Sequence, residues 1–565
     1  MSLGKTQFGS QTPLLTGSKS VSGFFRFFID DYEISSAYLQ SPSLNWGNLP
    51  LDFINHVEVY YGDSSFSLGN TTGVYFIRIY TKSAKKENGT ELKAGISSDG
   101  SNSQSLLHSF SLKNGWSYLF FANKTIAKDK NFFGSNIPND ENRRYLYTNL
   151  SNENTKINFG YTDTKKDPFT GISFDANPDD GSIKSRDYYI DITSHFLNDQ
   201  SLKANFSLGV TEHEYKERNI EGIGIVPLLD LANMGATIPM EFYEDSRFSK
   251  INASLTKTLQ YNNHNILAGL HFLTKNYELN DRWSRNFLGN VSQNNGFHNF
   301  DRENVYSILF QDDYKFSENL TLLANAKIDN YQRDGYLKET TEKLFRVGAI
   351  YTPFENIGFK GFYTQTYLPV SFYNIDFVNK NNPNLKSQQY EIFTAEIAYT
   401  RGNSKLNLNY NHVRIDDFIY FSPIGFVNIN KPIKTEGLAL NLTHNLTQSN
   451  KLHVNYFVSK QSEGSSNYQN GGYIKFMGKR GKIDYFTSLI FRNSFSYYNV
   501  HVKDSFDLSL GATYNFSKDL SLSIKGENLL EKSTSSIYTV GFPGTPFALE
   551  NKTERSVSLW LRWMF

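Results

Sequence analysis

Ser556-Val557-Ser558-Leu559-Trp560-Leu561-Arg562-Trp563-Met564-Phe565 alternates apolar and mixed side chains down to its aromatic last residue. Successive side chains of a strand point to opposite faces, so Val557, Leu559, Leu561, Trp563 and Phe565 share one face. Ser556, Ser558, Trp560, Arg562 and Met564 share the other. A strand this apolar is hazardous at an unprotected edge in water. It suits the wall of an outer-membrane barrel, where apolar residues face lipid, mixed residues face the lumen and aromatics mark the interface. Taken alone, it also suits a terminal strand buried in a soluble sandwich.

Composition separates the two. A soluble chain of 565 residues needs several cores with linkers between them, and no Pro-rich, Ser-rich or like-charge run divides this one. Aromatic residues make up 15%, with 36 Tyr and 46 Phe, while charged residues are 20% and the mean hydropathy is -0.48. Alternating barrel strands require that mixture of polar average and strand-forming rings. No stretch approaches the roughly 18 to 20 consecutive apolar residues of a membrane helix, so a membrane-spanning reading means a barrel. A net charge of +1 gives no reason to invoke nucleic acid. The absence of cysteine excludes disulfides, thiolate metal sites and Cys nucleophiles.

From about residue 90 onward, roughly 22 strand-like segments follow one another, each about 8 to 18 residues long. Their connections alternate in length. Short polar turns fall at 113–115, 151–154, 198–200, 261–263, 317–319, 353–356, 401–403, 448–450, 479–481 and 517–519. Between them lie mostly longer excursions, at 125–142, 164–185, 218–245, 282–301, 369–386, 422–432 and 530–553. An up-and-down barrel has this rhythm, with tight turns on the periplasmic rim and long loops outside. Within the segments, Phe506, Leu508, Leu510, Ala512, Tyr514 and Phe516 alternate with Ser505, Asp507, Ser509, Gly511, Thr513 and Asn515. In a dry core that second face would leave polar groups unpaired, at about 1 to 3 kcal/mol each, and a wet lumen removes the cost. The expected fold is therefore an all-β membrane protein, a 22-stranded antiparallel barrel over 90–565.

Residues 1–84 read differently. Strands are expected at Phe24 to Ile29, Val57 to Tyr61 and Val74 to Tyr80, with an Asp30-Asp31 turn, a loop from Ser35 to Asn48 and a helical turn from Pro50 to Ile54. A barrel of about 22 strands is too wide for its own side chains to fill, and a compact α+β unit before its first strand makes a natural plug.

These residues carry a family resemblance. Leu49-Pro50-Leu51-Asp52-Phe53-Ile54-Asn55-His56-Val57-Glu58-Val59-Tyr60-Tyr61-Gly62, followed by Gly69, Gly73 and Ile77 to Lys82, resembles the plug of TonB-dependent outer-membrane receptors. Phe28-Ile29-Asp30-Asp31 resembles the family's I-D-G turn, with Asp31 in place of Gly. Asn382-Pro383-Asn384-Leu385-Lys386 with Tyr390-Glu391, and Gly526-Glu527-Asn528-Leu529-Leu530-Glu531-Lys532, are similar to two of its barrel segments, although Ser387 stands where Pro-Glu often follows. Phe565 is similar to its terminal assembly signal.

The resemblance implies a monomer in outer-membrane lipid, inserted by the barrel assembly machinery and using no cofactor. It also implies high-affinity uptake of a scarce large nutrient, a ferric siderophore, cobalamin or similar metal chelate, energised by the TonB–ExbB–ExbD complex. No signal peptide follows Met1-Ser2-Leu3-Gly4. The TonB box and first part of the plug are likewise expected to be absent, so the chain as written should bind without transporting. A naturally reduced plug is the other reading of that beginning. The resemblance places ligand between the plug apices and the outer loops. That selects Tyr38, Gln40, Asn45, Trp46 and Phe66 in the plug, and Trp283, Phe287, Phe297, His298, Tyr538 and Phe542 in the loops. Rings offer contact area to a bulky chelate while amides fix its orientation. Packing of Trp46 and Phe66 within the plug accounts for them equally well.

Loop 218–245 is unusually apolar and suits a lid over the mouth or, equally, packing against its neighbours away from ligand. Asp167, Asp175, Asp179, Asp180 and Asp187 lack the ordered spacing of a Ca²⁺ loop and read as solvated acids. Neither a G-x-S-x-G elbow nor an H-E-x-x-H helix is present, and no catalytic cluster can be assembled. A passive porin and a non-transporting all-β surface binding protein stand as the other two classes.

Overall fold

The computed structural model describes residues 4–5, 11–12, 25–37, 49–61, 66, 72–128, 139–169, 171–173, 178–197, 199–222, 224–225, 239–293, 301–334, 338–376, 384–422, 425–462, 468–497, 500–533, 536–538, 547–549 and 554–565. Twenty-two antiparallel staves close into one barrel, from Gly89–Ser97 round to Ser556–Met564. The last stave pairs with the first, Met564 opposite Glu91 and Ser558 opposite Ser97. Phe565 finishes the seam, exchanging backbone hydrogen bonds of 2.8 and 2.9 Å with Thr90. Gly95 lies against the indole of Trp560, where any Cβ would overlap the ring.

Side-chain alternation holds around the wall. Val557, Leu559, Leu561 and Trp563 are 43%, 42%, 48% and 51% exposed, which makes theirs the lipid face. The opposite face is polar and pairs with itself across staves. Asn149 donates to Asn158 at 2.7 Å, Asn205 donates to Asp191 at 2.8 Å, and Asn252 donates to Asn205 at 3.0 Å. His271 continues the ladder to Asn252 and, at 3.3 Å, to Ser307. Such cross-strand pairs satisfy polar groups that are buried along the inner wall.

All ten expected tight turns lie on one rim, and the positive φ of Asn262 (49°) and Gly402 (54°) shows why those residue types close two of them. The other rim carries the long excursions. Pro239–Tyr261 and His264–Asn286 each run 23 residues, longer than the sequence pattern suggested. A tilted strand crosses a bilayer in about 9 to 11 residues, so this hairpin continues well above it. The expected loops at 218–245 and 282–301 shrink accordingly.

Before the barrel comes a four-stranded sheet, ordered Tyr32–Glu33, Phe25–Ile29, Tyr75–Thr81, Ile54–Tyr61. Phe25–Ile29 runs parallel to Tyr75–Thr81, and the other pairings are antiparallel. The expected helical turn is a bend at Leu51 to Phe53, closed by an Ile54 N–H to Leu51 carbonyl bond of 3.1 Å. The sheet lies in the lumen, because its side chains meet the inner wall on widely separated arcs. Phe53 packs with Phe121, Tyr145 and Tyr147. Val74 and Tyr75 cluster with Leu368, Tyr390 and Val413, and Phe66 clusters with Leu267, Leu309 and Leu344.

Candidate functional site

The corner between Phe25–Ile29 and Tyr32–Glu33 is where the sheet is tied to the wall. Asp30 turns it with φ 52°, a left-handed conformation that Asp tolerates better than most residues. The turn places two carboxylates side by side, and each bonds to the sheet and to the barrel. Asp30 accepts from the Thr81 hydroxyl at 2.8 Å within the sheet, and from the Tyr147 hydroxyl at 2.8 Å and Lys156 Nζ at 2.9 Å on the wall. Asp31 pairs with Arg78 at 2.6 Å within the sheet and with Lys203 at 3.3 Å on the wall, where Thr193 also donates to it at 3.3 Å. Next along, Tyr32 stacks flat on Tyr189, with centroids 3.8 Å apart. The slot exists because Gly209 and Gly160 have no side chains there; a Cβ at Gly209 would strike the Tyr32 hydroxyl. Lys250 sits 4.6 Å over the Tyr32 ring and donates to the carbonyls of Glu33 and Ser35. At the far side of the sheet, Asp52 accepts from Lys93 at 2.5 Å and from Ser105 at 2.9 Å. The space between Tyr32, Asp187 and Lys250 is about 10 Å³, room for one water and far too small for a chelate.

Burial pushes the Asp31 carboxyl up, but Lys203, Arg78 and Lys156 more than offset it and hold the group at about 2. A carboxyl depressed on folding contributes stability above its unfolded value near 4, and loses it as pH falls through the folded value. The contribution is about 2 kcal/mol at neutral pH. Between about pH 4 and pH 2 the sheet should therefore become cleavable by pepsin, and Asp31→Asn should flatten that pH dependence while making the sheet easier to cleave at pH 4. An unchanged pH profile in the Asn variant would show that Asp31 is not the group that ties the sheet down.

On the long-loop rim, connections fold inward over the mouth. Helix Phe372–Asp376 starts at Ser371, whose hydroxyl accepts from Asn374 N–H at 3.2 Å. Phe372 and Ile375 are buried against Phe248, Tyr277, Ile419 and Phe426, the last two from the hairpin of Phe418–Ser422 with Gly425–Ile429. Glu217 accepts from Ile172 N–H at 2.8 Å, and Ser173 bridges to Ile225, so the neighbouring connections are tied together. On the inner wall below, Arg282 pairs with Glu244 at 2.9 Å, and Glu303 is held between Lys275 at 2.8 Å and Arg333 at 2.7 Å. The mouth thus presents an apolar and aromatic layer over a wall of fixed charges.

The ligand candidates from the sequence scatter. Tyr38, Gln40, Asn45, Trp46, Phe297, His298 and Phe542 lie outside the described residues, as does the side chain of Tyr538. Phe66 is 5% exposed; its N–H bonds to Gln311 at 3.0 Å and its ring packs on the wall, the position of an anchor. Trp283 lies on the strand face opposite buried Arg282, stacked on Tyr243 with Arg285 beside it. Phe287 is exposed at the end of the long hairpin. Among the loop acids, Asp179 accepts from Ile220 and Glu221 N–H, and Asp187 accepts from Ser185 and Thr211. The paired acids 30 and 31 were visible as an oddity in the I-D-G-like turn, but their barrel partners carry no local signature.

Residues 115–529 match the family model described as TonB dependent receptor-like, beta-barrel. Comparison with curated protein sequences gives no match. Among solved structures, the siderophore receptor PiuA from Acinetobacter baumannii superposes with TM-score 0.75 at 14% identity, covering 100% of this chain and 92% of that one. The ferripyoverdine receptor of the outer membrane of Pseudomonas aeruginosa gives TM-score 0.72 at 14% identity, covering 96% and 80%. The copper transporter OprC gives 0.73 at 12%, covering 96% and 90%. At such identities the likeness is one of fold.

Proposed function

Since the chain belongs to the TonB-dependent receptor β-barrel family, and is thus an outer-membrane receptor and not an enzyme, we propose that it captures a scarce metal chelate at its outer mouth and admits it to the periplasm. Ferric siderophores are the first class to test, with cobalamin the second. In this reading residues 1–84 are part of the plug, and the TonB–ExbB–ExbD complex supplies the work that loosens it. The observation that carries the proposal is the sheet in the lumen, bonded to the wall through Asp30, Asp31, Tyr32 and Asp52. A diffusion porin works with an open lumen, whereas a receptor needs one that is closed until energy is spent. Of the structural relatives, PiuA is named as a siderophore receptor and another as the ferripyoverdine receptor, which favours an iron chelate.

Growth rescue tests the reading. In an iron-starved strain lacking its own receptors, the full gene product should restore growth on one class of ferric chelate at low supply, and only when TonB is present. Unselective rescue by many small solutes, independent of TonB, would point to a porin instead.

A further inference from the structure

Five arginines are buried among the described residues: Arg26, Arg78, Arg143, Arg282 and Arg492. Four of them reach a carboxylate: Arg26 meets Glu33 at 3.2 Å, Arg78 meets Asp31 at 2.6 Å, Arg143 meets Glu141 at 3.0 Å and Arg282 meets Glu244 at 2.9 Å. Arg492 is 4% exposed and has no acidic partner among the described residues; its Nε and Nη2 make no hydrogen bond. A guanidinium has five donors and cannot shed its charge, so burying one without an anion is strongly unfavourable.

Its position gives the orphaned charge a use. Arg492 ends the stave Ile483–Arg492 on the long-loop rim, and the register turns it inward, since Phe491 beside it lies on the lipid face with exposed Tyr456. Directly across on one side stands Gly471, where any Cβ would press on Arg492 Cα, and on the other the short Ser505, so neither cross-strand neighbour brings a counter-charge. The ring centroid of buried Phe495 lies 4.6 Å from the guanidinium carbon, a cation–π contact that holds the group in place. Asp507, two residues along from Ser505, bonds to Ser509 at 3.5 Å and makes no ion pair with Arg492.

We propose that Arg492 is an anion-binding element of the mouth, built to take an oxyanion of the incoming ligand, a carboxylate or phosphate-like group, by a bidentate contact. As a statement about substrate class this rests on the receptor reading; the anion site itself does not. Together they select a negatively charged chelate over an uncharged one.

The test uses the purified full chain in detergent, with thermal unfolding followed at constant ionic strength while citrate or phosphate replaces chloride. Each anion stabilises proteins in general at high concentration, so the readout is the saturable part of the shift at low concentration. Citrate, phosphate or both should produce it in the wild type, and Arg492→Gln should raise the half-saturating concentration about tenfold or more. Arg492→Lys should keep part of it. Without added anion, Arg492→Gln should melt no lower than the wild type, because it removes an uncompensated charge. A lower melting point there would mean that the chain itself supplies the counter-charge, and would overturn the proposal. So would equal saturable shifts in the wild type and the Gln variant, or no saturable shift at all. The assay involves no uptake, so a failure here leaves the receptor reading standing, and a failure of uptake leaves the anion site standing.

Discussion

A chain that begins at Lys85 should form large, stable, ohmic channels in a planar bilayer, whereas the intact chain should be nearly silent. Barrel closure does not depend on the sheet: Ser558 to Met564 pair with Ser97 to Glu91, and Phe565 with Thr90, through the wall alone. The amide ladder through Asn149, Asn158, Asp191, Asn205 and Asn252 also runs from stave to stave. Removing the sheet therefore leaves a closed wall whose inner face keeps that ladder, which water can cover at little cost, beside the apolar patches at Phe121, Leu309 and Leu368 that the sheet had covered. What is lost is the packing of Phe53, Phe66, Val74 and Tyr75 and the charge pairs at Asp31 and Asp52. The deleted chain should still migrate as a heat-modifiable barrel. Equal conductance before and after deletion would mean that the sheet does not close the lumen.

Phe53→Ala should release the sheet without disturbing the staves. Phe53 has no exposed surface, and its ring lies 5.0 Å from Phe121 and 5.2 Å from both Tyr145 and Tyr147. Its carbonyl also accepts from Lys82 N–H at 2.9 Å, where the sheet leads into the first stave. Truncating a fully buried Phe costs about 3 to 5 kcal/mol, and a closed barrel wall collapses poorly onto a cavity, which favours the upper part of that range. Amide protection over residues 25–81 should then fall by roughly two to three orders of magnitude, with the staves unchanged. Leu561→Ala, on the lipid face, serves as the control and should leave the sheet's protection alone. Undiminished protection in Phe53→Ala would place the docking energy in the polar corner instead.

Much of the barrel could be read from residue pattern, and the exceptions have physical causes. Turns such as Tyr261-Asn262-Asn263 and Arg401-Gly402-Asn403 announce themselves, because those residue types take the positive φ that a two-residue connection needs. Val557, Leu559, Leu561 and Trp563 are legible because lipid demands apolar side chains at every second position. Above the lipid that demand ends. Glu241 to Asp245 and Asn280 to Arg285 keep strand geometry but carry polar groups on both faces, so they read as loop. Trp283 lies in that stretch, and the register puts it on the face opposite Arg282.

The corner acids show a different limit. Asp30 and Asp31 were visible as a departure from the I-D-G turn, but Lys156 and Lys203 lie far off in the chain, and only the closed wall brings them within reach. Arg492 is harder still. Its interest lies in a missing partner, and no local pattern distinguishes it from Arg282, which has one.

We propose energised uptake through a lumen that is otherwise closed. Its most direct test is the initial rate of radiolabelled ferric-chelate entry into cells that carry the full gene product as their only receptor, measured with and without TonB. Uptake should saturate with chelate concentration, stop when TonB is deleted or the proton-motive force is collapsed, and leave high-affinity surface binding in place. Equal, unsaturable entry with and without TonB would contradict it.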